Sequence, residues 1–245
     1  MSLKVSRIAT LTGALVAVAA LSVATTSAWA APVIVHLPFK NWVAAGTVTP
    51  KKLNEPITLP EGSTFNGEAA INLVGPNEEP SFTGTVKGTL FVPPFNAQMK
   101  ILGIPETVGL KLAQAGLAEG TVTVAPKGAC GEVSGNGSYC VTLTVPTKVN
   151  MEITTVGAGP EVQLGLLSAG LGVSTTTACA TTEPITFNLV RTLTVKELLS
   201  PGPHFTGTTT FPPIQCTGLE GPVLTPVMNA LISGPENPYA LGIGP

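Results

Sequence analysis

Short stretches in which apolar and polar residues alternate, separated by Gly, Pro or Asn, run through most of this chain of 245 residues. Val108, Leu110 and Leu112 occupy every second position of one stretch, and VTLTV at 141–145 repeats the pattern. A period of two places one set of side chains on a buried face, as in antiparallel sheets. No long helical crossovers separate the stretches, which disfavours a parallel sheet. The sequence therefore predicts an all-β fold, an antiparallel β-sandwich or flattened barrel.

The predicted strands share this alternation and are bounded by turn residues. They are FNGEAAINLV from residue 65, FTGTVKGTLFV from 82, TVGLKLA from 107, GTVTVA from 120, CVTLTV from 140, NMEITTV from 150, EVQLGLL from 161, PITFNLVRTLTV from 184 and FTGTTTF from 205. One of them is ambiguous, because Val108, Leu112 and Ala115 also fit a helical stripe.

A weak internal duplication bears on that ambiguity. The segment TLFVPPFNAQMKILGIPETVGLKLAQAG at 89–116 returns about 53 residues later as TLTVPTKVNMEITTVGAGPEVQLGLLSAG at 142–170. The second copy carries Val162, Leu164 and Leu166 at period two, which favours a strand in both copies. Two copies favour related halves of one domain over a solenoid.

Residues 1–30 have the composition of an export signal. Lys4 and Arg7 precede an uncharged apolar run, and small residues around Trp29 fit a cleavage site. The remaining chain of about 215 residues is long enough for one β-rich domain. Residues 31–60 are Pro-rich and are expected to be irregular, apart from a short opening strand at 33–35.

The single β domain is expected at 61–245 and to contain one short helix near its end. Thr225 can cap this helix with Pro226 at its first position, and the apolar stripe continues to Ile232 before a Gly-Pro pair. The helix is expected to plug one end of the sheet structure. The tail at 236–245 is expected to be extended or frayed.

Charge is scarce. The chain has 12 Lys and Arg against 14 acidic residues, all of them Glu. It lacks the basic face that phosphate groups demand, so nucleic acid is not expected as a partner. Thr, Val, Gly and Pro dominate instead, which suits strands and turns and argues against disorder.

The four cysteines all follow the expected export signal, and an even count in an oxidising compartment predicts two disulfides. Three pairings are possible in principle. Cys130 and Cys140 flank a Gly-Asn-Gly turn signal, so this pair is expected to close a hairpin loop. Cys179 would then pair with Cys216.

Three segments of the C-terminal half form a recognisable group: CATTEPIT at 179–186, FTGTTTFPPIQC at 205–216 and LTPVMNALISGPEN at 224–237. Together they resemble a broad group of uncharacterised secreted proteins from actinobacteria, which carry an exported, low-charge, Thr- and Gly-rich β domain. The resemblance is less specific over the duplication and leaves the Pro-rich start uncovered. It supports the pairing of Cys179 with Cys216 and implies no activity.

The usual catalytic arrangements are incomplete in this sequence. There is no GxSxG motif and no Asp, so a serine triad lacks its parts. The two histidines, His36 and His204, lie beside prolines, and the adjacent pair Glu78 and Glu79 lies in a predicted turn. Cysteine and histidine spacings typical of metal sites are absent. We therefore predict a non-catalytic protein with no cofactor and no metal.

The leading hypothesis is a secreted or cell-envelope domain that holds an apolar ligand, such as a lipid, between its strands. High apolar content with few aromatic and charged residues motivates it, because pockets for such ligands are lined mainly by aliphatic side chains. The candidate wall residues are Phe91, Phe95, Met99, Met151, Leu164 and Leu166.

Three alternatives remain. The first is a structural or adhesive surface protein without a small ligand, which binds a membrane surface or cell wall through strand edges or apolar patches. The second is a membrane β-barrel, which the low-charge strands favour and the prolines and inferred disulfides oppose. The third is an enzyme.

Overall fold

The structure of the protein is a computed structural model. It describes residues 33–73, 82–101, 104–126, 128, 139–155, 178–218 and 221–245. The chain from Val33 to Pro245 forms one compact unit, so the Pro-rich residues before 61 belong to the same unit as the strands that follow. The expected export signal lies outside the described residues.

Thirteen strands and two short helices lie in these ranges. The strands are β1 (Ile34–Val48), β2 (Ile57–Thr58), β3 (Thr64–Asn72), β4 (Phe82–Phe91), β5 (Phe95–Ile101), β6 (Ile104–Gln114), β7 (Ala118–Pro126), β8 (Tyr139–Thr155), β9 (Ala178–Thr181), β10 (Ile185–Thr194), β11 (His204–Phe211), β12 (Ile214–Cys216) and β13 (Gly234–Gly244). The helices are α1 (Val195–Leu199) and α2 (Gly221–Leu231).

All thirteen strands belong to one sheet, and every pairing among them is antiparallel. The main path runs β11-β13-β1-β3-β4-β7-β8-β6-β5. β10 and β9 branch from β8, β12 pairs with β9, and β2 pairs with β1. The predicted antiparallel all-β fold is therefore confirmed, as is a short helix near the C-terminus.

The sheet curls until β10 lies alongside β11, at the far end of the main path. No backbone ladder joins these two strands, both of which are fully described. The structure therefore lies between the two predicted forms. It is one sheet rather than the two of a sandwich, and that sheet is not closed into a barrel.

β8 organises both halves of the curled sheet. Its first half pairs with β7 and β10, and its second half pairs with β6 and β9. Pro146 lies between the part of β8 that pairs with β7 and the part that pairs with β6. At this position a missing N–H disturbs the ladder least. The predicted alternation is confirmed, since Val141, Leu143 and Val145 are all buried. β6 is a strand rather than a helix, as the duplication predicted.

Two clusters of buried side chains fill the interior. The first includes Phe65 from β3 and Tyr239 from β13. The second includes Leu110 from β6 and Met228 from α2, so α2 covers that end of the sheet. Phe187 from β10 packs against both clusters and lies at their boundary.

The N-terminal strand is much longer than expected, because β1 spans fifteen residues where only a short opening strand was predicted. Up to Trp42 it pairs only with β3, and β13 joins its other edge from Val43 onward. Pro38 lies in the part that is paired on one side, which is where a strand tolerates proline. The prolines therefore do not make this segment irregular.

The C-terminal tail is extended, as predicted, but it is not frayed. β13 lies between β1 and β11 and is hydrogen-bonded to both. Asn237 is buried in β13, and its side chain makes three hydrogen bonds. Its Nδ2 donates to the carbonyls of Thr209 at 3.1 Å and Gly234 at 2.6 Å, and its Oδ1 accepts from the Lys51 N–H at 2.8 Å. This residue joins β13 to β11 and to the turn after β1.

The predicted start of the C-terminal helix is wrong, because α2 begins at Gly221 and contains Pro226 in its interior. Pro222 takes the early helical position where a missing N–H costs nothing. Pro226 then leaves the carbonyl of Pro222 without its helical partner, and both residues are exposed to water. Thr225 does not cap the helix; its hydroxyl accepts a hydrogen bond from the Cys216 N–H at 3.0 Å.

The second helix, α1, was not predicted. Thr194 and Glu197 form a capping box at its start: the Glu197 N–H donates to the Thr194 hydroxyl at 3.2 Å, and the Thr194 N–H donates to the Glu197 carboxylate at 2.8 Å. The sequence TVKE carries this signature, which the alternation of the preceding strand obscured.

The duplicated segments take different forms over their first halves. In the first copy, Pro93 and Pro94 separate β4 from β5. In the second copy, the equivalent Pro146 lies inside the unbroken β8. The remainder of the second copy, at 156–170, lies outside the described residues.

Candidate functional site

A cavity of about 60 Å³ lies inside the curled sheet, where the two core clusters meet. Its walls come from strands that are distant in sequence. The lining residues are Ala44, Ala45, Val48, Ile57, Leu59, Phe65, Leu90, Leu110, Leu112, Thr147, Val149, Met151, Ile185, Phe187, Leu189, Phe211, Leu241, Gly242 and Ile243. The curl of the sheet, rather than any local motif, assembles this site.

Small residues on β1 and β13 leave the space open. Ala44 is 4% exposed and pairs with Ile243, while Ala45 pairs with Gly242. Larger residues line the opposite walls, including Leu110 on β6. An interior normally closes such gaps to the density of an organic crystal, so a gap this large is uncommon in a well-packed core.

The cavity lining is apolar throughout. Among the described residues that line it, Thr147 alone has a side chain with an oxygen or nitrogen atom, and that side chain is buried. None of the lining residues in the described part of the chain is charged. An ionised ligand group would lose its hydration here without a partner, at a cost of several kcal/mol or more. The site therefore suits hydrocarbon.

A second cavity of about 40 Å³ adjoins the first, and Phe65, Leu189 and Ile243 line both. Phe39 and Phe205 are among its other walls. An apolar cavity of about 150 Å³ is known to hold benzene. The two spaces here are smaller and share three wall residues, so neither holds a ring as it stands. A linear chain, which is narrower, enters both only by displacing the side chains between them.

Four of the six predicted wall residues lie in the described part of the chain. Met151 lines the first cavity. Met99 is buried in the second core cluster and Phe95 packs against it, but neither lines the cavity. Phe91 is 58% exposed on the outside of the sheet. The other two, Leu164 and Leu166, lie outside the described residues.

The predicted disulfide between Cys179 and Cys216 is confirmed. The two residues are direct partners in the pairing of β9 with β12, and both are buried. Such bonds form and persist in oxidising compartments. Cys140 is buried at the start of β8, whereas its predicted partner Cys130 lies outside the described residues.

Within the described ranges, no titratable side chain lines the cavity. His36 contacts Glu68 on the surface, and both side chains are more than half exposed. His204 is exposed at the start of β11, and Glu78 and Glu79 lie outside the described residues. The described ranges hold no group of three or more His, Cys, Asp or Glu side chains that could bind a metal ion. Neither helix in these ranges is long and apolar enough to cross a membrane.

An apolar groove lies on the outside of the sheet. Phe91 and Leu117, which are 58% and 59% exposed, line it beside the turn between β6 and β7. β4 has no strand partner on this side beyond Gly88, and the Gln114 side chain takes that place. Its Nε2 donates to the Gly88 carbonyl at 3.1 Å, and its Oε1 accepts from the Leu90 N–H. The strand edge is thereby capped while the apolar side chains stay exposed.

Comparison with known protein families, with curated proteins and with solved structures gives no significant match to this chain. The geometry of the molecule therefore carries the functional argument. Sequence reasoning missed Ala44, Phe65, Leu110 and Phe187 as wall residues. The available signal was their place on the buried face of each alternating stretch, and that signal does not separate a cavity wall from a filled core.

Proposed function

We propose that the protein is a secreted, non-catalytic domain that binds a slim apolar ligand, such as the acyl chain of a lipid, inside its curled sheet. The cavity bounded by Phe65, Leu110 and Phe187 is the binding site. The observation that carries this proposal is an internal space whose described walls are apolar apart from Thr147 and carry no charge. Binding sites for small apolar molecules are concave and lined mainly by such side chains.

Secretion and the absence of catalysis are parts of the same proposal. The composition of residues 1–30 and the disulfide between Cys179 and Cys216 support export into an oxidising compartment. The exposed positions of His36 and His204, away from the cavity, support a binding role over a chemical one.

Filling the cavity should weaken binding without unfolding the protein. We expect wild-type protein to bind trans-parinaric acid, a linear fluorescent polyene, with a saturable rise in fluorescence. Ala44→Leu places three more carbon atoms in the space, so it should weaken binding by about tenfold or more. Its free energy of unfolding should stay within about 1 kcal/mol of wild type, because a void accepts the added atoms. Fluorescence titration and chemical denaturation measure the two effects.

Ala69→Leu provides the matched control. Ala69 is 2% exposed in the first core cluster and lines neither cavity. The same substitution there overpacks a filled core and should destabilise the protein by about 1–3 kcal/mol while leaving probe affinity unchanged at temperatures where the variant is folded. Saturable binding by wild type that Ala44→Leu leaves intact would contradict the proposed site.

The groove lined by Phe91 and Leu117 supports a second candidate, an adhesive or structural role through an exposed apolar surface. Two large apolar side chains that are each more than half exposed in one groove are typical of a contact surface. Under this alternative, Phe91→Ser reduces adsorption to lipid vesicles or cell-wall fragments, while Ala44→Leu has no effect. Under the ligand-binding proposal, Ala44→Leu weakens the binding of parinaric acid and Phe91→Ser leaves it unchanged.

A further inference from the structure

The boundary between β10 and β11, which we call the seam, differs from the other boundaries along the curl. Those neighbours share backbone ladders, whereas here two side-chain hydroxyls, one from β11 and one from β13, bind the edge of β10. Thr209 donates from Oγ1 to the Thr186 carbonyl at 2.8 Å. Tyr239, on β13, donates from Oη to the Asn188 carbonyl at 2.7 Å. The accepting carbonyls belong to the edge of β10 that a ladder partner would otherwise occupy.

Tyr239 reaches β10 by crossing β11 at a glycine. It pairs with Gly207, where an added Cβ would lie 2.7 Å from the phenol oxygen. Its ring packs edge-on against Phe187, with ring centroids 5.3 Å apart. Tyr239 is 5% exposed, and burial raises the pKa of its hydroxyl, which therefore stays protonated at neutral pH and donates. The glycine and the tyrosine together make this contact across the seam.

The cavity lies directly behind the seam. Alternate residues of β10, Ile185, Phe187 and Leu189, line the cavity. The residues between them, Thr186 and Asn188, line a groove on the outer side of the same strand. Separating β10 from β11 therefore breaks two side-chain hydrogen bonds and opens a path from the outer groove to the cavity. Separating any ladder-paired neighbours would break a row of backbone bonds.

We infer that the seam is the route by which an apolar chain reaches the cavity, and that Tyr239 and Thr209 hold this route closed. The inference rests on the proposed function. Opening at a line with few hydrogen bonds is a local event that leaves the ladders of the sheet intact. The outer groove carries Thr and Asn side chains together with Glu183 and Glu236, so a neutral or cationic head group can remain there while the chain lies inside.

Stopped-flow fluorescence with trans-parinaric acid tests the route. Tyr239→Phe and Thr209→Val each remove one of the two hydrogen bonds and keep the side-chain shape. We expect the association and dissociation rate constants to rise together, by roughly fivefold to tenfold in each variant. The dissociation constant should stay unchanged, because neither hydroxyl lines the cavity. Thr206→Val, at an exposed position on β11 that lines neither the cavity nor the outer groove, should keep wild-type rates.

Amide hydrogen exchange supplies a readout without ligand. In Tyr239→Phe, exchange should become faster in β10 and β11 and stay at the wild-type rate in β3 and β4. Saturable probe binding with wild-type rates in both variants would overturn the route and leave the proposed function standing. Unchanged exchange in β10 and β11 would overturn the role of Tyr239. If wild-type protein shows no saturable binding, the proposed function fails and the route fails with it.

Discussion

A chain that ends at Ser233 should not fold. This truncation removes β13, which is hydrogen-bonded to β1 on one side and to β11 on the other. It also removes the buried side chains of Asn237 and Tyr239. Burial of a large side chain contributes about 1.5–3 kcal/mol, and a whole domain is stable by only about 5–15 kcal/mol. Losing several such side chains and two ladders should therefore exceed the available stability.

Far-UV circular dichroism and thermal melting measure this effect. The truncated chain should lack a cooperative melting transition, and its spectrum should lose the strand signal. Deleting Pro245 alone is the control, because this exposed residue follows the end of β13. That variant should melt as wild type does. A cooperative transition in the chain that ends at Ser233 would show that β13 is dispensable and would contradict the sheet order.

Replacing Cys179 and Cys216 together by alanine should lower the free energy of unfolding by about 4 kcal/mol. The chain-entropy model gives about this value for a bond that joins residues 37 positions apart. β9 and β12 have only four and three residues, so few other contacts hold them together. The second core cluster also loses two buried sulfur atoms.

Guanidinium denaturation without reducing agent measures the loss. Gln215→Ala is the matched control, because Gln215 is exposed and occupies the neighbouring position in the same pairing. It should change the free energy of unfolding by less than about 0.5 kcal/mol. A double alanine variant as stable as wild type would mean that this bond does not constrain the unfolded chain.

Local alternation was enough to predict several strands. β4, β7, β10 and β11 follow their predicted segments closely, because one face of each strand is buried and the other is exposed. The pattern cannot give the order of the strands, since the buried face reads the same whichever strand lies beside it. The position of the C-terminal residues between β1 and β11 was therefore beyond local reasoning.

Proline and terminal position make the sequence misleading at both ends of the domain. Pro38 and its neighbours suggested an irregular segment, although β1 is paired on only one side there and tolerates proline. Residues 236–245 were expected to be extended or frayed, although Tyr239, Leu241 and Ile243 alternate as they do in other strands. Terminal residues fray only when nothing holds them in place, and here Asn237 does.

The candidate site was harder to predict than the fold. Its walls come from many strands, and among the described candidates only Met151 lines the cavity. A small residue such as Ala44 leaves space only because of what faces it across the curl. That arrangement depends on the three-dimensional fold, so no spacing in the sequence encodes it.

A crystal structure of the protein grown with trans-parinaric acid tests the central claim most directly. We predict that the polyene chain lies inside the curled sheet, between Phe65, Leu110 and Phe187, and extends toward the seam. A chain that lies instead in the apolar groove, against Phe91 and Leu117, would contradict an internal binding site, as would an interior without ligand at saturating probe.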